Sequence, residues 1–340
     1  MGQHLLQKGR LLNEEGNLNE AGYAFSLVKE YHRKDIKASK WRIKEWDYYY
    51  IGNHDYAIGL TIDDNSYMDL CSISFFDYKN KTMVESSTMH PFSFGKRNLP
   101  ETSESGVTSY HDKRANFTFE VKDGIRHLSG IYFDLVKGKD ISFDIYLEKT
   151  LDDTMVIATP FDKKAHFYYN QKINNLKAKG KFFYDGKEYS LDDAYGTLDW
   201  GRGVWTRKNT WYWSSLSDVQ DGHTIGFNLG YGFGNTKAAS ENMFFYDDKA
   251  YKLDDVHFGI PKDSNGKDAF EKTWHFTSKK GDIDLKFEPL IVRHGGANAI
   301  IIKSIQRQVF GLFSGIIKVD GKTFELKNLL GFAEKVKNCW

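Results

Sequence analysis

The sequence predicts an all-β protein made of two related antiparallel halves, each a barrel or curved sheet, behind an N-terminal arm. Three observations carry this. Aromatic residues are abundant, with 25 Phe, 20 Tyr and 8 Trp giving 16% of the chain, and rings of this kind favour half-buried pleated surfaces. Apolar residues recur with period two in several places, while no amphipathic helix of three turns is found. A closing hairpin near residue 185 is repeated near residue 320.

The arm covers residues 1–34, where Gly2, Gly9, Gly16 and Gly22 punctuate short polar pieces. Within it Ala24 to Tyr31 is expected to make two helical turns. Strands follow. Ile73-Ser74-Phe75 is one, and Phe117, Phe119 and Val121 mark another. In Ile141 to Glu148 the apolar residues Ile141, Phe143, Ile145 and Leu147 share one face, the pattern of a half-buried strand. Ala165 to Tyr169 and Ile283, Leu285 and Phe287 add two more. The chain has only 5 prolines, which suits paired interior strands. Asp185-Gly186 and Asp320-Gly321 each sit between strand-like runs, and an Asp-Gly pair can take the positive backbone angles of a type I′ hairpin turn.

The two hairpins are copies. An offset of 135 residues superposes Asp185-Gly186-Lys187 on Asp320-Gly321-Lys322, Leu191 on Leu326, Gly196 on Gly331 and Trp205 on Trp340. Tyr189/Phe324, Asp199/Glu334 and Arg202/Lys337 keep a ring or a charge. Trp46 heads the first copy as Trp211 heads the second. A duplication follows, with halves at 35–205 and 206–340, the first enlarged by an insertion from Pro91 to Asp112.

Composition excludes several classes of function. Lys and Arg total 47 against 46 Asp and Glu, with no long basic run, so nucleic-acid binding is not expected. The apolar stretch from Ala297 to Ile302 is far too short for a membrane span. The first ten residues lack the features of a secretory leader. Cys71 and Cys339 make neither a disulfide framework nor a zinc site, so reduced thiols and a cytoplasmic location are expected. The 11 histidines show no metal-ligand spacing. His54 and His294 alone merit inspection. No serine lies in a nucleophile elbow. Neither a metal nor a cofactor is expected.

Arg42-Ile43-Lys44-Glu45-Trp46-Asp47-Tyr48-Tyr49 and Leu198-Asp199-Trp200-Gly201-Arg202-Gly203-Val204-Trp205 resemble the signature of a mainly bacterial family, domain-of-unknown-function family 2804. Trp211-Tyr212-Trp213, Ile225 to Gly230, Glu241-Asn242 and Gly331 to Glu334 continue the resemblance in order along the whole chain. The family is similar in outline to tandem lipocalin-like (calycin) proteins, a group that includes carotenoid hydratases and pericyclase-type enzymes. That resemblance implies two lipocalin-like barrels and an apolar ligand held between or within them. The Asp-His pair of the carotenoid hydratases falls here on Gly196 and Thr197, which cannot replace it.

The region from Asp199 to Trp205 is the first candidate for chemistry. One reading makes Asp199 and Arg202 the polar end of an aromatic pocket, with Asp199 a general acid if the pocket is dry. The other makes them a salt bridge that fixes a turn, since Glu334 and Lys337 preserve the charges in the second copy. Trp46, Tyr48, Trp200, Trp205, Trp211 and Trp213 are the candidate ring wall. Asn228, Glu241, Asn242 and Glu334 are the candidate polar contacts, because inward amides and carboxyls in a sheet must find partners. Gly226 to Gly234 does not feed a helix, so it reads as small residues on a barrel wall rather than a phosphate loop. The expected partner is a small apolar or amphipathic molecule. Three functions remain open: an isomerase or lyase, a non-catalytic carrier of a lipid-like ligand, and a glycan-binding module with a solvent-open aromatic groove.

Overall fold

The computed structural model describes residues 2–299 and 302–339, with the side chains of residues 297–299, 302 and 303 left aside. Trp340, one member of the repeated tryptophan pair, and part of the apolar stretch at 297–302 lie outside the described residues.

The described residues form strands and two 3-10 turns, Arg33–Asp35 and Lys40–Arg42, with no α-helix among them. The arm contributes β1 (Gly9–Arg10), β2 (Gly22–Ala24) and β3 (Lys29–Glu30). The expected helical turns at Ala24–Tyr31 are not formed. Instead the segment is extended, because its backbone is used elsewhere: Gly9 donates to the Val28 carbonyl and Thr154 to that of Phe25.

The first sheet contains β4 (Ile43–Gly52), β5 (Tyr56–Asp64), β6 (Met68–Asp77) and β7 (Thr82–Pro91). It continues with β8 (Gly106–His111), β9 (Ala115–Lys122), β10 (Ile125–Val136) and β11 (Lys139–Lys149). After these come β12 (Met155–Pro160), β13 (Phe167–Tyr184), β14 (Lys187–Ser190) and β15 (Tyr195–Val204). Its order is β7-β6-β5-β4-β15-β13-β11-β10-β9-β8, and β12 joins the arm strand β2 to β13. The second sheet contains β16 (Lys208–Gln220), β17 (His223–Tyr231), β18 (Met243–Tyr246), β19 (Lys249–Lys252) and β20 (His257–Gly259). It ends with β21 (Trp274–Thr277), β22 (Ile283–Ala299), β23 (Ile302–Val319) and β24 (Lys322–Cys339), in the order β19-β18-β17-β16-β24-β23-β22-β21-β20. Both are curved antiparallel half-barrels, so the all-β, tandem lipocalin-like fold is correct.

The duplication is visible in the register. β13 and β23 are both 18 residues long and stand 135 residues apart. At the same offset β24 corresponds to β14 and β15 run together. Trp46 is paired with Gly201, and Trp211 with Val336, the position equivalent to Gly201. Asp185 and Asp320 have φ of 54° and 50°, and Gly186 and Gly321 have 73° and 72°, the left-handed pair that the Asp-Gly turns require.

Each curl encloses its own apolar core. Ile141, Phe143, Ile145 and Leu147 point into the first with Phe117, Phe119 and Trp200, and Leu285, Phe287, Phe276 and Phe313 fill the second. Two further apolar clusters lie between the sheets. One gathers Met155, Tyr168, Trp205, Phe233 and Phe245, and the other Tyr50, Phe76, Trp213, Phe310 and Phe332. The convex faces therefore pack against each other, and the candidate site lies there.

Candidate functional site

Alternation along β15 sorts the residues that the sequence puts in one motif. Leu198, Trp200 and Val204 enter the first core, and Arg202 goes with them. Thr197 and Asp199 face the second sheet instead. Asp199 and Arg202 are therefore on opposite sides of the sheet, and neither reading of them as a pair survives. Three residues along a strand is an odd step, which reverses the side-chain direction.

Arg202 is a clasp inside the first half. Its Nη1 donates to the carbonyls of Trp46 and Gly201 and to Asp47 Oδ1 at 3.0 Å, and Nη2 donates to the Pro100 carbonyl at 2.8 Å. Its guanidinium lies 4.3 Å over the Trp200 ring. Trp200 is likewise a core residue, and Asn242 braces backbone, accepting from Gly230 N and donating to the Asp254 carbonyl.

The remaining candidates meet between the sheets. β4 directs Trp46 and Tyr48 there, and β13 directs Tyr168, Asn170 and Lys172. β16 directs Trp211 and Trp213, β17 Asn228, and β24 Glu334. Trp46 covers Gly201 so closely that a Cβ at that position would lie 1.9 Å from its ring. It stacks on Tyr168 with ring centres 6.1 Å apart and meets Trp205 edge-on at 5.3 Å. Phe233 closes this wall against Tyr168, Trp205 and Trp211. On the other side Tyr48 contacts Trp213 at 6.2 Å.

Three carboxyls stand among these rings. Asp199 accepts from Lys172 Nζ and from Asn170 Nδ2, each at 2.7 Å. Lys172 also lies 3.9 Å over the Trp213 ring. Glu334 accepts from Trp211 Nε1 at 2.8 Å. Trp213 Nε1 donates to Asn228 Oδ1 at 2.7 Å, and Asn228 Nδ2 donates to the Glu241 carbonyl at 2.7 Å. Gly230 makes room for Glu241, since a Cβ there would lie 2.7 Å from its carboxylate.

Lys172 acts on all three carboxyls, joined by Lys252 at Glu241 and by Arg293 at Glu334. Burial is the main cause that raises Glu334 to about 7, and Asp199 adds to it, while the Trp211 hydrogen bond and Lys172 oppose it. Burial also raises Glu241, assisted by Asp199 and opposed by Lys172 and Asn228. Asp199, Glu241 and Glu334 keep 7%, 8% and 4% of their surface accessible, and Tyr48 is only half-buried.

The sequence reading passes over Tyr168, Asn170, Lys172 and Phe233. Their signal was present in part: Tyr168, Asn170 and Lys172 continue, with period two, a strand already recognised at Ala165 to Tyr169. His54 is at the rim, bonded to Asp218 Oδ2 of the second sheet at 2.7 Å, and His294 is exposed. Among the described residues no group of His, Cys, Asp and Glu could hold a metal ion, and no helix is long and apolar enough to cross a membrane.

A family model described as Domain of unknown function (DUF2804) matches residues 3–340. No curated protein matches. Among solved structures, a Nitrosomonas europaea protein assigned as AttH is similar with a TM-score of 0.52 at 10% identity, covering 93% of this chain and 98% of that one. Kievitone hydratase from Nectria haematococca is similar with a TM-score of 0.50 at 11% identity, covering 99% and 98%. These likenesses are of fold.

Proposed function

This chain belongs to the domain-of-unknown-function family DUF2804, and for it we propose binding of one small apolar or amphipathic molecule between the two sheets, with proton transfer by a buried carboxyl. The observation that supports this is the trio Asp199, Glu241 and Glu334 sharing Lys172 inside a wall of rings. Rings give apolar contact area, and a few convergent polar groups give orientation. The carboxyls have different partners. Asp199 is bonded directly to a lysine, whereas Glu334 keeps its proton up to about neutrality. A general acid works best when its pKa lies near the working pH.

Protonation of an alkene or of a departing hydroxyl is the chemistry such a carboxyl supplies. This is the isomerase or lyase class, in which one fold relative, a hydratase by name, also falls. The rings lie between packed sheets rather than along an open groove, which favours this reading over glycan binding.

Native mass spectrometry of the whole chain after incubation with a bacterial small-molecule extract tests the proposal. One retained compound per chain is expected, converted over time by the parent protein and retained unconverted by Glu334→Gln, with turnover down by at least about 100-fold. Retention without conversion by the parent would leave a carrier. Retention unchanged by Trp213→Ala would place the ligand elsewhere and sink the proposal.

A further inference from the structure

We infer that the end of the first half around Trp41, Phe92 and Phe94 docks on an anionic lipid surface. This inference stands on that surface alone, whether or not a ligand binds between the sheets. Trp41 and Phe92 are 52% and 56% exposed, at the top of the range for large apolar residues in the described chain. They are neighbours. The Trp41 ring centre is 6.1 Å from that of Phe92 and 4.8 Å from that of Phe94, and the two Phe rings stack at 6.3 Å.

The turn that carries the phenylalanines is built the wrong way round for a soluble surface. Ser93, between them, takes the buried position and donates to Asp64 Oδ1 at 2.8 Å. Phe92 N and Phe94 N donate to the carbonyls of Tyr67 and Ser66 at 2.8 and 3.0 Å. Both phenylalanines adopt the left-handed region, with φ of 63° and 47°, a conformation that costs a non-glycine residue energy. The chain thus buries a hydroxyl and holds Phe92 out in water by a strained backbone. Strain of this kind persists where the surrounding structure enforces it, and it concentrates at functional positions.

Charge says what covers the rings. Lys34, Lys37 and Lys40 precede Trp41, and Lys96 follows Phe94; all four are exposed and form no ion pair among the described residues. Arg33 packs beside Gly95, which brings the lysine-bearing segment against the phenylalanine turn. Of the acids nearby, Asp35 pairs with Arg10, Glu45 with Arg33 and Glu101 with His32, while Glu14 and Glu30 stay exposed on the side of Arg10. An exposed tryptophan and phenylalanine flanked in sequence by lysines match the boundary between anionic headgroups and acyl chains. The patch also abuts the proposed site. The Arg42 carbonyl accepts from Trp205 N at 3.1 Å, and β4 runs directly from this turn to Trp46. An apolar ligand dissolved in a lipid surface would be presented at that point.

Sedimentation of the whole chain with phosphatidylcholine vesicles, with and without one part in three of phosphatidylserine, tests this. Binding is expected to the anionic vesicles and to weaken as salt rises. Each lysine near such a surface contributes about fivefold, so K40E/K96E should weaken binding by at least about tenfold, and Trp41→Ser/Phe92→Ser by a similar factor. All four positions are exposed, so the thermal midpoint should stay within about two degrees, which separates lost docking from lost folding. Absence of binding to anionic vesicles overturns the inference. So does binding that neither variant changes, or binding of a single-stranded oligonucleotide in place of the vesicle.

Discussion

Glu334 is a carboxyl held where its charged form is disfavoured, and this links it to stability. Its pKa rises from the ordinary glutamate value of 4.5 to about 7 on folding. The folded state therefore binds more protons than the unfolded chain between those limits. Its contribution is complete below about 4.5 and lost as pH rises through about 7. Denaturant unfolding of Glu334→Gln at pH 5 and pH 7.5 should show a smaller loss of stability across that interval than the parent shows. An equal loss in both would assign the pH dependence elsewhere. Asp199 carries the opposite liability, because it is the ion-pair partner of the buried Lys172. Asp199→Asn strands that cation and should cost about 3 kcal/mol, while Lys172→Met added to it should recover part of the loss. A double-mutant cycle measures this, and additive losses would contradict the pairing.

At the scale of elements, β15 decides what the site contains. Gly201 lies under Trp46 with no space for a methyl group, so Gly201→Ala should displace the indole and cost roughly 2 kcal/mol or more in urea unfolding. A neutral outcome would mean that the ring moves freely. A bulge in β13 between Ile173 and Leu176 has a comparable role. It moves the inward face from Ile173 to Leu176 just past Asn174, whose Nδ2 donates to Ser215 Oγ at 2.8 Å and to the Leu216 and Phe227 carbonyls at 3.0 Å, tying the first sheet to the second. Bulges change which face a strand presents in this way.

These elements also explain what was legible in the sequence. The alternation at Ile141 to Leu147 and the Asp-Gly turns translate directly into geometry, because period two and positive φ are local properties. Asp199 and Arg202 were misjudged as a pair because their glycine neighbours suggested a turn, whereas Gly201 and Gly203 are strand residues packed under Trp46 and Trp205. Lys172 was missed because a lysine on a strand ordinarily faces water. Its burial depends on a second sheet more than forty residues away, which no local pattern encodes. The arm's extended course at Ala24 to Tyr31 likewise follows from backbone bonds to β12, Thr154 and β1, a tertiary demand that overrides helix propensity.

At the scale of the whole molecule, duplication supplies equivalent residues to both sides of the contact between the sheets. Asp199 and Glu334 are repeat partners, as are Trp46 and Trp211, and both pairs face the contact between the sheets. The copies differ where chemistry would need it, one carboxyl bonded to a lysine and the other to an indole N–H. Two apolar clusters and the pairs His54–Asp218 and Arg293–Glu85 join the halves. Separating the sheets would expose those rings, so urea unfolding should be one transition, coincident by tryptophan emission and far-ultraviolet circular dichroism. Two resolved transitions would show halves that are stable apart.

The most direct test of a proton kept between the sheets is a carboxyl-carbon NMR titration of the whole protein labelled at glutamate. One glutamate resonance should titrate near neutral pH and disappear in Glu334→Gln. If every glutamate instead titrates in the ordinary acidic range, no acid is kept between the sheets, and the proposed chemistry fails with it.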